Sequence, residues 1–313
     1  MIENLVLSLN VVIPLFLQML LGNGLKKLRL LTEHTIKELN HIAFRIFLPI
    51  LLFYNIYTTD LEQEFNGKLV MYAVFSILIL FLLLMIFVPI FEKKNSRRGV
   101  LVQVGFRSNF VLFGLPVAIS LFGADKVGSA SLLIAVIVPL FNMLAVVALE
   151  SFRGKDLSLV GILKGIVTNP LILASILAII LNLNHIRLFS FLTETIGALA
   201  KIATPLSLIV LGAQFRLEDA KHCKKQLIAG LILRLLVVPA IFLPPAVFLG
   251  FRGSEFIPLM IMYCAPAAVS SYTMAELMDG DGILASQLVF YSTACSVITL
   301  FLIIFLVKTI GII

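Results

Sequence analysis

The residues best suited to bind a ligand lie in two apolar stretches that are each interrupted near the middle. Residues 99–123 and 256–279 are both long and apolar enough to span a bilayer. The first interruption comprises Arg107, Ser108 and Asn109 with Gly114 and Pro116 after them, and the second comprises Cys264, Ala265, Pro266 and Ala267. A helix that breaks inside a membrane leaves peptide groups unpaired, so the broken backbone must line a buried or water-filled cavity. Paired breaks of this kind are typical of the central site of a secondary transporter.

The chemistry expected at such a site is anion binding. Each half-helix that follows a break starts with free N–H groups and the positive end of its dipole. Two spans that cross in opposite directions bring both positive ends together, which favours a carboxylate. Ser108, Asn109, Ser270 and Ser271 can add side-chain hydrogen bonds. Asn142 is a weaker candidate for the lining, since buried polar residues also serve as hydrogen-bond glue between helices. Pro116 and Pro266 could alternatively mark simple kinks, but their paired positions favour a site.

Several charged residues near these spans allow two interpretations each. Arg107 can attract an anion, or it can cap the carbonyls that end the first half-helix. Arg45 either belongs to the cavity wall or extends to the cytoplasmic interface, and Lys201 has the same two alternatives. Glu276 closes the ninth span and belongs either to a solvated loop end or to a site for a coupling ion. We expect Arg234 to extend to the interface or to pair within the bundle.

The composition shows which elements must position these residues. The chain has 313 residues, of which 60% are hydrophobic and 13% are charged, and its mean hydropathy is +1.10. These values are typical of a polytopic membrane protein and exclude an ordinary soluble domain. The apolar runs predict an all-α protein with about ten spans of roughly 20 residues. They lie near 4–21, 36–58, 67–91, 99–122, 127–150, 159–182, 189–213, 225–249, 255–278 and 283–308.

The distribution of basic residues predicts the orientation in the membrane. Lys and Arg are concentrated in the loops after the odd-numbered spans, where they form the clusters Lys26 to Lys37, Lys93 to Arg98, Arg153 to Lys164 and Arg216 to Lys225. This pattern places those loops in the cytoplasm and both termini outside the cell membrane. The net charge of +7 therefore reflects topology, and no nucleic-acid partner is expected. Three scattered cysteines support neither a disulfide framework nor a zinc site, and no metal or cofactor is expected.

The two interrupted spans occupy equivalent places in an internal repeat. A shift of 156 residues aligns Glu38 with Glu194, Arg45 with Lys201 and Pro49 with Pro205. The same shift places Ser108-Asn109 on Cys264-Ala265. Residues 1–150 and 159–313 then form two five-helix repeats joined by a short cytoplasmic linker, residues 151–158. An odd number of spans per repeat inverts the second repeat in the membrane.

The residues around the two breaks resemble the signatures of a known family. Phe106 to Phe110, running into Gly114-Leu115-Pro116, is similar to the fourth-helix motif of the auxin efflux carrier family, and Ala265-Pro266-Ala267 is similar to its ninth-helix motif. The resemblance covers essentially the full length. The short linker is similar to that of bacterial-type members, and the position before Asn109 is Ser108 where the plant carriers have proline.

This resemblance implies a fold and a mechanism. It implies ten helices in two inverted repeats, with helices 1, 2, 6 and 7 as a scaffold and helices 3–5 and 8–10 as a transporter domain. It further implies a homodimer and elevator-type movement of small organic anions such as malate, malonate or auxin-like carboxylates, bound where broken helices 4 and 9 cross. The alternative is a sodium- or proton-coupled symporter of a larger amphipathic anion. An enzyme is not expected, because the chain has neither a GxSxG nor an HExxH motif.

Overall fold

The fold is built from α-helices joined by short connections. The computed structural model describes residues 2–59, 66–111, 117–119, 121, 128–153, 163 and 167–313. The helices of the first part are α1 (Ile2–Lys27), α2 (Glu33–Ile42), α3 (Leu48–Tyr57), α4 (Gly67–Phe91), α5 (Asn95–Phe106) and α6 (Gly128–Ser151). The helices of the second part are α7 (Pro170–Leu183), α8 (Ser190–Gln214), α9 (Lys224–Ile232), α10 (Val238–Phe248), α11 (Gly253–Cys264), α12 (Ser270–Leu277) and α13 (Gly282–Thr309).

Several of these helices are suited to cross a membrane. Within the described residues, six continuous helical segments are long and apolar enough to do so: 33–57, 67–91, 128–151, 190–214, 218–248 and 282–309. Helix α4 shows the expected surface, because Phe75, Ile79 and Ile86 are large apolar side chains that are more than half exposed. Such a surface is stable when lipid covers it. The chain is therefore an all-helical, multi-pass membrane protein, as the composition predicted.

Two single π-helical turns interrupt otherwise continuous helices. Residues Ala43–Phe47 join α2 to α3, and residues Leu233–Val237 join α9 to α10. A π turn inserts an extra residue and rotates the side chains that follow it, and such turns occur often at functional sites. Arg45 lies in the first turn and Arg234 in the second.

Helices of the two halves pack against each other in two close pairs. Helix α1 packs along α8, and α3 packs along α7. In the first pair the backbones approach so closely that a Cβ atom at Gly212 would lie 1.9 Å from the carbonyl oxygen of Met19. A Cβ atom at Gly22 would lie 2.0 Å from the carbonyl oxygen of Ile209. Small residues at such contacts allow membrane helices to pack backbone against backbone.

Both interrupted spans are broken at the positions that the sequence predicted. Helix α5 ends at Phe106, and extended backbone follows at Arg107. Helix α11 ends at Cys264, and α12 starts at Ser270 after a short non-helical segment. All the described residues of α5 from Gly99 onward are buried, as are those of α11 from Phe256 onward. The two breaks therefore lie in the interior of the helix bundle, away from lipid.

Candidate substrate site

The two unwound segments satisfy each other's backbone groups. Ser108 and Ala267 form an isolated antiparallel bridge. The N–H of Asn109 donates to the carbonyl of Pro266 at 2.7 Å, and the N–H of Ala268 donates to the carbonyl of Arg107 at 3.3 Å. The N–H of Ala267 donates to Ser292 Oγ at 3.1 Å. These bonds satisfy peptide groups that lipid would leave unpaired, and they fix the two breaks against each other.

Arg107 is a buried cation with neutral partners. Its side chain is 4% exposed. Nη1 donates to Gln103 Oε1 at 3.2 Å and lies 2.8 Å from Met274 Sδ. Nη2 donates to Asn142 Oδ1 and to Ser270 Oγ, the latter at 2.8 Å. Within the described part of the chain, no carboxylate forms a salt bridge with this guanidinium.

A cavity of about 70 Å³ lies beside Arg107. Its walls come from both breaks and from α3, α6, α7 and α8. The residues that line it are Leu48, Leu51, Leu52, Arg107, Ser108, Asn109, Phe110, Val111, Val138, Phe141, Asn142, Leu171, Thr204, Ser207, Ala268, Val269 and Ser270. The lining divides into one cationic and several polar side chains and a remainder that is aliphatic or aromatic. This division suits a small ligand with a charged head and a carbon skeleton.

Four polar atoms on the lining residues have no hydrogen-bond partner in the described residues. They are the hydroxyl oxygens of Ser108 and Ser207 and the amide nitrogens of Asn109 and Asn142. Buried polar groups are nearly always paired, so each unpaired group requires an explanation. All four can donate a hydrogen bond, and all four belong to residues that line the same cavity. A ligand rich in acceptor oxygens would satisfy them.

The N-terminus of α12 adds a further positive feature. Ser270 is the first residue of this helix, and Ala268, Val269 and Ser270 all line the cavity. In its first turn the N–H groups of Ser271 and Tyr272 donate to the carbonyls of Ala268 and Val269, and the positive end of the helix dipole lies at this turn. The buried guanidinium, the unpaired donors and this helix end therefore converge on one small volume.

The sequence matches a family of transporters along nearly its whole length. The model of the membrane transport protein family matches residues 7–160 and 157–304. The chain belongs to this family. It is 25% identical over 308 residues to an uncharacterized transporter of Methanocaldococcus jannaschii, with 94% of this chain and 97% of that protein covered. It is 26% identical over 298 residues to an uncharacterized transporter of Methanothermobacter thermautotrophicus, with 94% and 96% covered.

Membership of this family confirms two of the predictions made from the sequence. The resemblance to the auxin efflux carriers is confirmed, because their family is the one that matches. The protein is a membrane transporter, not an enzyme. The names of the two relatives give no substrate.

The structure brings part of the predicted site together. Arg107, Ser108, Asn109 and Asn142 all line the cavity. The predicted residues of the second break, Cys264, Ala265, Pro266 and Ala267, are fully buried next to it, and three of them use backbone groups to build the crossing. The residues that reach the cavity from this break are the next three, 268–270. Gly114 and Pro116 lie outside the described residues.

The remaining predicted residues lie away from the cavity. Arg45 and Lys201 are exposed, and neither lines the cavity. Arg45 instead borders a separate polar pocket with His41 and Glu150. Glu276 is partly exposed in the last turn of α12, six residues beyond Ser270. The described lining of the cavity therefore gives no support to contacts of Arg45, Lys201 or Glu276 with an anion or a coupling ion.

Sequence reasoning missed several polar residues at the site. Gln103 supports Arg107 through its side-chain oxygen, while its nitrogen donates to the carbonyl of Ser271 at 3.0 Å. Thr204 and Ser207 reach the cavity from α8. Thr204 and Ser207 lie 156 residues after Leu48 and Leu51, which also line the cavity. The repeat therefore places the same two positions of α3 and α8 at the cavity.

Proposed function

We propose that this protein is a secondary carrier of small organic anions such as malate, malonate or auxin-like carboxylates. The observation that carries the proposal is the buried Arg107 with neutral partners at a cavity whose lining residues also carry four unpaired donor atoms. Burying an unpaired charge is expensive, and the cost is recovered when an anion binds. The unpaired donors would bind the carboxylate oxygens, while Leu48, Leu52 and Phe141 would contact the carbon skeleton.

Cation-coupled transport of a larger amphipathic anion is the second candidate. The lining of the cavity favours the carrier of small organic anions. Proton relays in membrane proteins use aspartate, glutamate or histidine side chains. None of the described residues that line the cavity is an aspartate or a glutamate. The described volume also suits a small ligand better than a large one.

We further propose ten spans in two inverted repeats, with α1–α3, α7 and α8 in the scaffold and the other helices in the transporter domain. Two observations support this arrangement. The close packing of α1 on α8 pairs span one with span seven, and that of α3 on α7 pairs span two with span six. The repeat relates span one to span six and span two to span seven, so it converts one pair into the other. The cavity lies between residues of the two proposed domains, as an elevator mechanism requires. Homodimerisation, location in the cell membrane and extracellular termini belong to the same proposal.

The proposal is tested by binding and by transport. Purified protein is screened by thermal shift against mono- and dicarboxylates, with and without sodium and across pH. The Asn109→Ala variant removes an unpaired amide but keeps the backbone bond to Pro266, so we expect intact folding and abolished binding. Asn184→Ala, at the exposed end of α7, is the matched control. Uptake by proteoliposomes that is the same for wild type and Asn109→Ala would contradict the site.

A further inference from the structure

Arg234 is buried at the crossing of the two broken helices without lining the cavity. It is fully buried, with 0% of its surface exposed, and it is placed by the π turn between α9 and α10. It is absent from the residues that line the cavity. All of its recorded hydrogen bonds go to backbone carbonyls, so it neither extends to the interface nor forms a salt bridge in the described part of the chain.

The carbonyls that Arg234 binds belong to the ends of both broken helices. At the end of α5, Nη1 donates to Gly105 at 3.1 Å and to Phe106 at 3.4 Å. At the end of α11, Nη2 donates to Met262 at 2.7 Å and to Tyr263 at 3.1 Å. Nε donates to Ala265 at 2.9 Å. One side chain therefore caps two helices that come from opposite halves of the sequence.

The charges at this point are balanced. The last carbonyls of a helix have no partner within the helix, and each C-terminus carries about half a negative charge. Two such ends together match the single positive charge of one guanidinium. Arginine suits this position because its planar fork has five N–H donors in fixed directions, whereas lysine offers one nitrogen.

We propose that Arg234 is a positioning residue for the anion site. This inference rests on the proposed function. Arg234 neutralises the negative ends of α5 and α11. These ends then do not offset the positive charge of Arg107 and of the α12 N-terminus, which stays available to the ligand. Arg234 also holds Phe106 and Ala265, which adjoin the two unwound segments, at a fixed separation. The donors of Ser108 and Asn109 are then directed into the cavity before the anion arrives, which lowers the cost of binding.

The first test measures hydrogen exchange and requires no ligand. Arg234→Gln removes the charge and most of the donors, whereas Arg234→Lys keeps the charge on a single nitrogen. We expect amide exchange in peptides covering 103–109 and 261–269 to rise by about tenfold or more in Arg234→Gln and by less in Arg234→Lys. Exchange in α1 and α8 should stay at the wild-type rate.

Arg252→Gln is the matched control. Arg252 is exposed, and it also donates to backbone carbonyls, those of Val247 and Phe251. Its replacement should leave exchange at both breaks unchanged. Wild-type exchange at the breaks in Arg234→Gln, or an equal rise throughout the protein, would overturn the inference. If Arg234→Gln does not fold, Arg234→Lys decides, because it must show faster exchange at one or both breaks.

The second test separates this inference from the proposed function. Malonate is the probe, and its dissociation constant is measured for wild type, Arg107→Gln, Arg234→Gln and Arg234→Lys. We expect about tenfold weaker binding in Arg234→Gln, with partial rescue in Arg234→Lys. Loss of binding in Arg107→Gln with wild-type binding in Arg234→Gln would overturn this inference alone. Absence of malonate binding by the wild type would count against the proposed function, while the exchange experiment would still decide the role of Arg234.

Discussion

Replacement of Arg107 by glutamine should separate binding from stability. In the wild type, the guanidinium is buried without a carboxylate partner, a state that costs several kcal/mol before its hydrogen bonds are counted. Glutamine removes that cost but also loses some hydrogen bonds to Gln103, Asn142 and Ser270, each worth about 1–3 kcal/mol when the donor is charged. The two terms oppose each other. We therefore expect the ligand-free variant to be within about 2 kcal/mol of the wild type, with no loss of folding.

The effect on anion affinity should be much larger. Removing one member of a buried, hydrogen-bonded charge pair costs about 3–5 kcal/mol. A loss of 3 kcal/mol corresponds to a factor of more than about a hundred in the dissociation constant, since about 1.4 kcal/mol gives a factor of ten. Arg107→Lys keeps the charge but loses the planar fork, so its affinity should lie between those of the wild type and Arg107→Gln.

The assay combines unfolding of the ligand-free protein with calorimetric titration of the organic anions that stabilise the wild type. Arg252→Gln is again the control, because it changes an exposed arginine that does not line the cavity. A large loss of ligand-free stability together with unchanged affinity would refute the reasoning. That outcome would mean that Arg107 stabilises the fold and does not bind the substrate.

Three further predictions concern a lining hydroxyl, a helix contact and the carboxylate at the end of α4. Ser207→Ala removes a buried hydroxyl that has no partner, so thermal unfolding should show equal or higher stability while titration shows weaker anion binding. Gly212→Ala places a Cβ atom against the carbonyl of Met19, and denaturant unfolding should show a loss of about 1–3 kcal/mol, unlike Gly24→Ala, where the space is open. Burial raises the pKa of Glu92, but hydrogen bonds from Lys94 and Gln226 lower it below the usual 4.5 overall. Glu92 therefore stabilises the fold above that pH. Melting curves should show that Glu92→Gln is less stable than the wild type, by a difference that shrinks as the pH falls below about 4.5. A stability difference independent of pH would contradict this.

The positions of the breaks were predictable because they depend on local chemistry. Polar residues and proline within an apolar span, as at Asn109 and Pro266, mark backbone that cannot continue as helix in lipid. Buried Arg107 and Asn142 were recognisable for a related reason, since polar side chains within spans are costly and must have a function or a partner. These signals are all contained in a few neighbouring residues.

The rest of the site depends on contacts that cannot be recognised from the residue types. Arg234 binds only backbone carbonyls, and every residue has one, so nothing in the sequence of α5 or α11 identifies its partners. Ser207 lies on α8, where serine is common in membrane helices, and only its place in the cavity lining beside Asn109 and Arg107 gives it significance. The exposure of Arg45 and Lys201 likewise depends on how α3 and α8 pack, not on their own composition.

The antiparallel bridge between Ser108 and Ala267 has a consequence for how related carriers can diverge. The crossing is joined by N–H and C=O groups, which remain when side chains change. Positions 108, 109 and 268–270 can therefore acquire different side chains while the two segments stay paired. One architecture can in this way accept substrates of different shape without a new way of pairing the peptide groups of its unwound segments.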